Sequence, residues 1–458
     1  MHTPGIEAQR KAAAAGWLAR HARTVVAGIA IMAMLPFEAV VLSAPGARPV
    51  LGSIGMAQAD DDDGDGDDDG GGGAAAGGGS DSGGGMDHEP FEPVGRVDAE
   101  TFIADELLAL NPSAAALGRA TALGARIIER IDAASLPLRV VRLRLPPGLD
   151  ARSARQILAE RDRATFELHH LYKLAQQTAD TSPCGGAACG ALRLIGWPDD
   201  ASNCGRNQAI GIVDTAVAVA HPALAGASLR TREFVDAGSV PAAADHGTAV
   251  AALLVGRPGS GFPGMVPHAQ LFAANPFYTL PSGNGAASTV GLVQSLDWLV
   301  RERVGVIGLS LAGPSNSVLE AAVARVAAKG VVVAAAAGNG GQNAPPAYPA
   351  AFSGVLSVTA VSEDRRIYWR ANRGDYIDYA LPGVNVWTVG LAGEGKRRSG
   401  TSFAVPFMVG LASQSLAQRA LGRDQLLKGE LAALTDLGAP GRDPVFGWGK
   451  PRFGGICH

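Results

Sequence analysis

Between Thr401 and Leu421 the chain is apolar nearly all round, with Phe403, Val405, Met408, Val409, Leu411 and Leu416 spread over every helical face. A helix of that kind belongs in the middle of a large core rather than on a surface. With 458 residues and 47% hydrophobic content, the chain can build such a core and is long enough for two or three domains. The helix opens with Ser399-Gly-Thr-Ser-Phe-Ala-Val-Pro406. That places Ser402 at its mouth and Pro406 in a first turn, where a missing N–H has no intrahelical partner to lose. Free backbone donors and partial positive charge at the helix start favour an oxyanion beside the hydroxyl. A plain N-cap reads the same way, so Ser402 alone decides nothing.

Two further segments supply what a serine nucleophile needs. Gln208-Ala-Ile-Gly-Ile-Val-Asp-Thr215 is an apolar β-run that ends in a carboxylate, Asp214. Asp245-His-Gly-Thr-Ala-Val-Ala-Ala-Leu-Leu254 sets His246 at the start of another apolar helix. A serine hydroxyl requires an imidazole base, and the imidazole requires an anion to fix its tautomer. A fourth run, Gly330-Val-Val-Val-Ala-Ala-Ala-Ala-Gly-Asn-Gly340, reads as a buried strand ending in a turn that carries Asn339.

The order Asp, His, Ser with these flanks resembles the subtilisin-like serine proteases, the subtilase family, from roughly Ile195 to Lys450. The resemblance implies a triad of Asp214, His246 and Ser402. It makes Asn339 the oxyanion donor, and the activity a serine endopeptidase working through an acyl-enzyme without a cofactor or metal. It also implies a substrate cleft walled by Ser310, Leu311, Ala312 and Gly313 on one side and by Ala337 and Gly338 on the other. Neither wall holds an acidic residue, so an apolar side chain is expected before the cut. Several positions depart from the family pattern. Ala249 stands where a second histidine is usual, Ala216 where glycine is usual, and Val405 and Phe407 flank Pro406. None of these removes a catalytic heteroatom. They leave open a second function class, a weakly active envelope protein that binds peptides in a protease-like cleft. The family's usual calcium site lies after the histidine helix. Here residues Leu254 to Met265 form a short loop without carboxylate or asparagine, so no calcium is expected there. His221 and His268 sit beside prolines in turn contexts and read as structural.

Strand-like runs near Ala209–Asp214, Gln270–Ala274, Val304–Leu309, Val331–Ala336 and Val355–Val361 alternate with helical ones near Thr289–Arg303 and Val318–Ala328. The fold class expected for residues 181–458 is therefore α/β, a parallel sheet flanked by helices, and the resemblance implies that it is subtilisin-like. Ahead of it, residues 91–180 read as a small α+β domain. Ile103 to Leu110 suits a strand, and Ser113 caps a helix to Leu123. Val141, Leu143 and Leu145 alternate with Arg142 and Arg144 as a half-buried strand, and Asp150 caps Ala151 to Arg161. Thr165 to Leu174 closes the unit. This β-α-β-β-α-β order resembles the ferredoxin-like propeptides of subtilases. It implies an inhibitory partner for the catalytic domain, cut within roughly ten residues of Gln176.

Residues 1–59 read as a signal peptide region. Arg10, Lys11, Arg20 and Arg23 precede the apolar run Val25 to Leu35, and Ala57-Gln-Ala59 forms a cleavage sequence. Residues 60–90, with eight aspartates between Asp60 and Asp69, read as a disordered Asp/Gly-rich linker. The four cysteines, Cys184, Cys189, Cys204 and Cys457, suit two disulfides in an oxidising compartment, with three pairings open. A metal site at the first three is the competing reading, but their spacing matches no common zinc pattern. The expected location is outside the cytoplasm, periplasmic or extracellular, with anchoring at the envelope left open. Net charge is −4 and no basic cluster interleaves with aromatics, so nucleic acid is not an expected partner; peptides and proteins are.

Overall fold

The structure, a computed structural model, describes residues 101–162, 165–175, 177–180, 190–418, 422–430, 433–453 and Cys457. The signal and linker regions, Cys184 and Cys189 lie outside the described residues.

The first elements are β1 (Phe102–Leu110), α1 (Ala114–Ala122), β2 (Arg126–Ala133), β3 (Leu138–Arg144), α2 (Ala151–Asp162) and β4 (Phe166–Leu174). Their antiparallel strands lie in the order β2-β3-β1-β4. Ser113 Oγ caps α1 by accepting from the Ala116 N–H at 3.1 Å, and Asp150 accepts from the N–H groups of Arg152 and Ser153. Leu107, Val141, Leu143, Ala116, Ala154 and Phe166 make a local core between the sheet and its two helices.

The other face of that sheet corrects the reading of a half-buried strand at Arg142, while the Arg144 side chain stays 39% exposed. Arg142 is 11% exposed and pairs with Glu106 at 2.6 Å and with Asp236, far along the chain, at 2.7 Å. Leu108, Ile131, Val140 and Tyr172 on this face join a core cluster with residues of the following domain. Alternation in β3 separates an apolar buried face from one that is partly buried and holds a compensated charge network. Sequence pattern alone cannot tell such a face from a wet one.

β5 (Gln177–Asp180) follows, and then the larger domain. Its central sheet is built from β6 (Ala209–Val213), β7 (Leu229–Glu233), β8 (Gln270–Asn275), β11 (Val306–Leu309), β13 (Val332–Ala336), β14 (Leu356–Val361) and β15 (Tyr379–Pro382). They run parallel in the order β15-β14-β13-β11-β6-β8-β7. The long helices are α3 (Asp245–Val255), α4 (Thr289–Arg301), α5 (Ser317–Ala328) and α6 (Thr401–Ala417). Strand residues alternate between two cores. Ile210, Val306, Ala334 and Val358 face α3 and α6, while Val213, Ile307, Val333 and Ala335 face α4 and α5. Away from the edge strand β7, whose residues are mostly exposed, both sheet faces are covered, which is why the inner strands read as continuous apolar runs.

Short strands complete the site: β9 (Phe277–Thr279), β10 (Gly285–Ser288), β12 (Leu311–Ala312), β16 (Val386–Val389) and β17 (Gly395–Ser399). A disulfide joins Cys204 to Cys457, 253 residues apart, across the two ends of this domain. Among the described residues no helix is long and apolar enough to cross a membrane.

Candidate active site

α6 begins at Thr401, so Pro406 lies inside the helix and not in its first turn as the sequence suggested. Proline at that place leaves the carbonyl four residues earlier, that of Ser402, without its helical donor. Ser310 supplies the replacement, its Oγ donating to Ser402 O at 3.2 Å. The preceding Gly400 has φ 147°, a conformation that favours glycine and turns the chain into the helix. Val405 and Phe407, two of the departures from the family pattern, are buried in the core beside Ala249, a third.

Asp214 follows β6 directly and is fully buried. Its Oδ1 accepts from the Thr215 N–H at 2.7 Å and from His246 Nδ1 at 2.6 Å. Its Oδ2 has no partner among the described residues. His246 is the second residue of α3. Gly247 beside it is forced by space: a Cβ there would stand 2.3 Å from Thr215 O. The gap lets the Gly247 N–H reach Thr215 Oγ1 at 2.8 Å, tying the helix start to the end of β6. The other ring nitrogen, Nε2, accepts from Ser402 Oγ at 3.0 Å. Aspartate, imidazole and hydroxyl are thus hydrogen-bonded in series and shielded from water. The Nδ1 proton is directed to the carboxylate, leaving Nε2 free to take the serine proton.

Asn339 lies just beyond β13. Its Oδ1 accepts from both Thr401 N at 3.1 Å and Thr401 Oγ1 at 3.0 Å, which fixes the amide. Its Nδ2 is buried with no partner among the described residues. A buried amide donor without a partner is costly, and it is a group a developing oxyanion would satisfy.

The cleft is occupied by the chain itself. The end of β4 lies between two antiparallel neighbours, with Tyr172 opposite Ala287 of β10 and Leu174 opposite Leu311 of β12. Ala312 pairs with Lys173, the Ala175 N–H donates to Ser310 O at 3.4 Å, and the Ser402 N–H donates to Ala175 O at 3.1 Å. Beyond that carbonyl, β5 pairs with β17, Ser399 opposite Gln177 and Arg397 opposite Asp180. Gly313 accommodates Tyr172, since a Cβ would stand 2.4 Å from its ring. The Tyr172 hydroxyl donates to Pro314 O at 3.1 Å. Ala337 and Gly338 bond to Val358, Tyr376, Thr401 and Asn372, which hold the opposite wall in place. Thr215, Thr401 and Tyr376 escaped sequence reasoning as site supports. The first two sit inside the quoted motifs, where their hydroxyls were the available signal.

Of the two other histidines among the described residues of this domain, His221 caps a turn, with Nδ1 accepting from Ala223 N and Nε2 meeting Gly390 O at 3.0 Å. His268 is exposed.

Known proteins share this plan. The chain is 34% identical over 218 residues to thermitase of Thermoactinomyces vulgaris, covering 47% of this chain and 76% of that protein. It is 31% identical over 211 residues to the minor extracellular protease Epr of Bacillus subtilis, covering 45% of this chain but 32% of Epr. Fervidolysin from Fervidobacterium pennivorans, a keratinolytic enzyme related to subtilisin, shares the fold with a TM-score of 0.65 at 20% identity, over 78% of this chain and 61% of its own. The chain thus spans less than two thirds of Epr and of fervidolysin. Residues 205–449 match the profile of the subtilase family, and the chain belongs to that family.

Proposed function

We propose that the protein is a serine endopeptidase made as a self-inhibited precursor. Ser402 Oγ attacks the scissile carbonyl carbon while His246 Nε2 takes its proton, and Asp214 holds the imidazolium that forms. The oxyanion is received by the Ser402 N–H and Asn339 Nδ2. His246 then protonates the leaving amine, which departs and leaves an acyl-enzyme, and water attacks the acyl group by the same route in reverse. The observation that carries this reading is the series Asp214–His246–Ser402, at 2.6 and 3.0 Å, with a peptide carbonyl already on the Ser402 N–H.

That peptide is the chain's own, so residues 91–180 act as propeptide and inhibitor and the remainder as the protease. The segment in the cleft describes the substrate: an extended peptide with a small residue before the cut and an aromatic one four residues back, as Ala175 and Tyr172 are placed. Work outside the cytoplasm is supported by the Cys204–Cys457 disulfide and by the extracellular relative Epr. Purified protein treated with a fluorophosphonate probe should be labelled at Ser402, and a Ser402→Ala variant should not. A protein that only binds peptides would remain unlabelled, and that result would end the peptidase reading.

A further inference from the structure

One ion pair stands against the Asp214–His246–Ser402 series without belonging to it. Asp245 is the first residue of α3 and the immediate neighbour of His246. Arg398 sits on β17, the strand that leads into Ser402. Its guanidinium grips the carboxylate with two parallel bonds, Nη1 to Oδ2 at 2.6 Å and Nη2 to Oδ1 at 2.8 Å, and Nη2 also reaches Val389 O at 3.2 Å. The Arg398 side chain is only 6% exposed and that of Asp245 34%. The guanidinium lies 5.9 Å from the centre of the Phe403 ring, and that ring lies 4.8 Å from the imidazole of His246. Helix α3, strand β17 and the first turn of α6 therefore meet at one compensated charge pair.

We propose that Asp245 and Arg398 are positioning residues for the reaction, resting on the peptidase reading above. The planar fork fixes the distance between the element carrying the base and the element carrying the nucleophile. The pair also contributes two opposite charges beside His246 that cancel. Either charge alone would bias the imidazole: a lone carboxylate favours its protonated form, and a lone guanidinium disfavours it. Burial raises the affinity of the Asp245 carboxyl for a proton, but the Arg398 bonds and charge outweigh it and hold the group below the usual carboxylate range. The other charges facing this corner are Asp214 at the end of β6 and Lys396 on β17, itself paired with Glu394 at 2.8 Å. All three remain in the variants below.

The test is kcat/KM against pH for the expressed full-length chain after any self-processing, with active sites counted by fluorophosphonate and Tyr-Lys-Leu-Ala-p-nitroanilide as substrate. The acid limb of that profile reports the protonation of the essential base in free enzyme. Asp245→Asn should move the limb down and Arg398→Gln should move it up, each by about 0.5–1 pH unit, with the double variant close to wild type. Arg398→Lys keeps the charge but loses the fork, so it should hold the limb in place and lower kcat several-fold with KM little changed. A pair that served only stability would lower the fraction of active sites and leave every limb where it was, which overturns the inference. Limbs displaced in the same direction by both single variants overturn it as well. Asp245→Asn alone decides if Arg398→Gln does not fold, since its limb must move down. A wild type without Ser402-dependent turnover would instead overturn the peptidase reading, and this inference with it.

Discussion

The backbone N–H of Ser402 donates to the carbonyl oxygen of Ala175 across 3.1 Å, and the chain continues past that carbonyl to pair with β17. The sequence suggested a self-cleavage site within roughly ten residues of Gln176, and under the proposed function this register predicts the bond between Ala175 and Gln176. Mass spectrometry of purified protein should find a new N-terminus at Gln176 in wild type and an uncut chain in Ser402→Ala. Ala175→Asp should slow the processing about tenfold or more, because it sets a negative charge one residue-length from the carbonyl that must itself become negative. An identical terminus in wild type and Ser402→Ala would assign the cut to another protease.

Asn339 offers a cleaner probe of transition-state binding. Its Oδ1 is held by Thr401 and its Nδ2 has no partner among the described residues, so in the proposed mechanism Nδ2 would meet the substrate oxygen chiefly when that oxygen becomes negative. Asn339→Leu should lower kcat by about 10²–10³ with KM nearly unchanged. A raised KM at unchanged kcat would reduce Asn339 to a turn former.

Contact between the two domains should weaken in acid. His170 lies at their junction, where its Nδ1 accepts from Asn316 Nδ2 at 2.9 Å and its carbonyl accepts from Thr289 Oγ1. Burial, only partly offset by the charge of Glu167, lowers its pKa from 6.5 to about 4. Its neighbour His169 is lowered by burial too, despite its bond to Glu106 at 2.8 Å. A group whose folded pKa is depressed binds fewer protons folded than unfolded, so stability is complete above pH 6.5 and is lost as pH falls toward 4. Protonated Nδ1 would also face the Asn316 amide donor. The melting temperature of the uncut Ser402→Ala chain should fall through this window, and His170→Gln should flatten the fall. A flat profile in both proteins would remove His170 from the junction's stability.

Much of this arrangement was legible because each motif couples a local structural signal to a chemical one. Asp214 ends an apolar strand, His246 opens an apolar helix, and Ser402 opens a helix too apolar to lie anywhere but the core. Five parallel strands buried on both faces read as plain runs, and their positions emerged within two residues of the structure's, whereas the edge strands β7 and β15 were not read. What escaped depends on distant pairing. Arg142 fell on the outer side of a strand read as half-buried because its partner Asp236 is remote in sequence, and Arg398 drew no reading because its partner Asp245 lies 153 residues away. The strands β10 and β12 are too short to carry a period. Their existence follows from what they flank, the end of β4, and no window of sequence contains all three.

Pro406 makes the last test possible, because it creates a vacancy that another residue fills. The Ser402 carbonyl lacks its helical donor, and Ser310 Oγ takes that place at 3.2 Å in a fully buried setting. Ser310→Ala should therefore strand a buried acceptor and cost about 1–3 kcal/mol. Pro406→Ala restores a backbone N–H at the helical position, so Ser310→Ala should cost less in that background. The four proteins of this cycle, all made as Ser402→Ala to prevent self-digestion, can be compared by denaturant titration. A favourable coupling of about 1 kcal/mol is expected, since the two changes share one acceptor. Strict additivity would mean that the Ser402 carbonyl does not depend on Ser310. The serine would then return to being a lining residue of the cleft, as the sequence alone suggested.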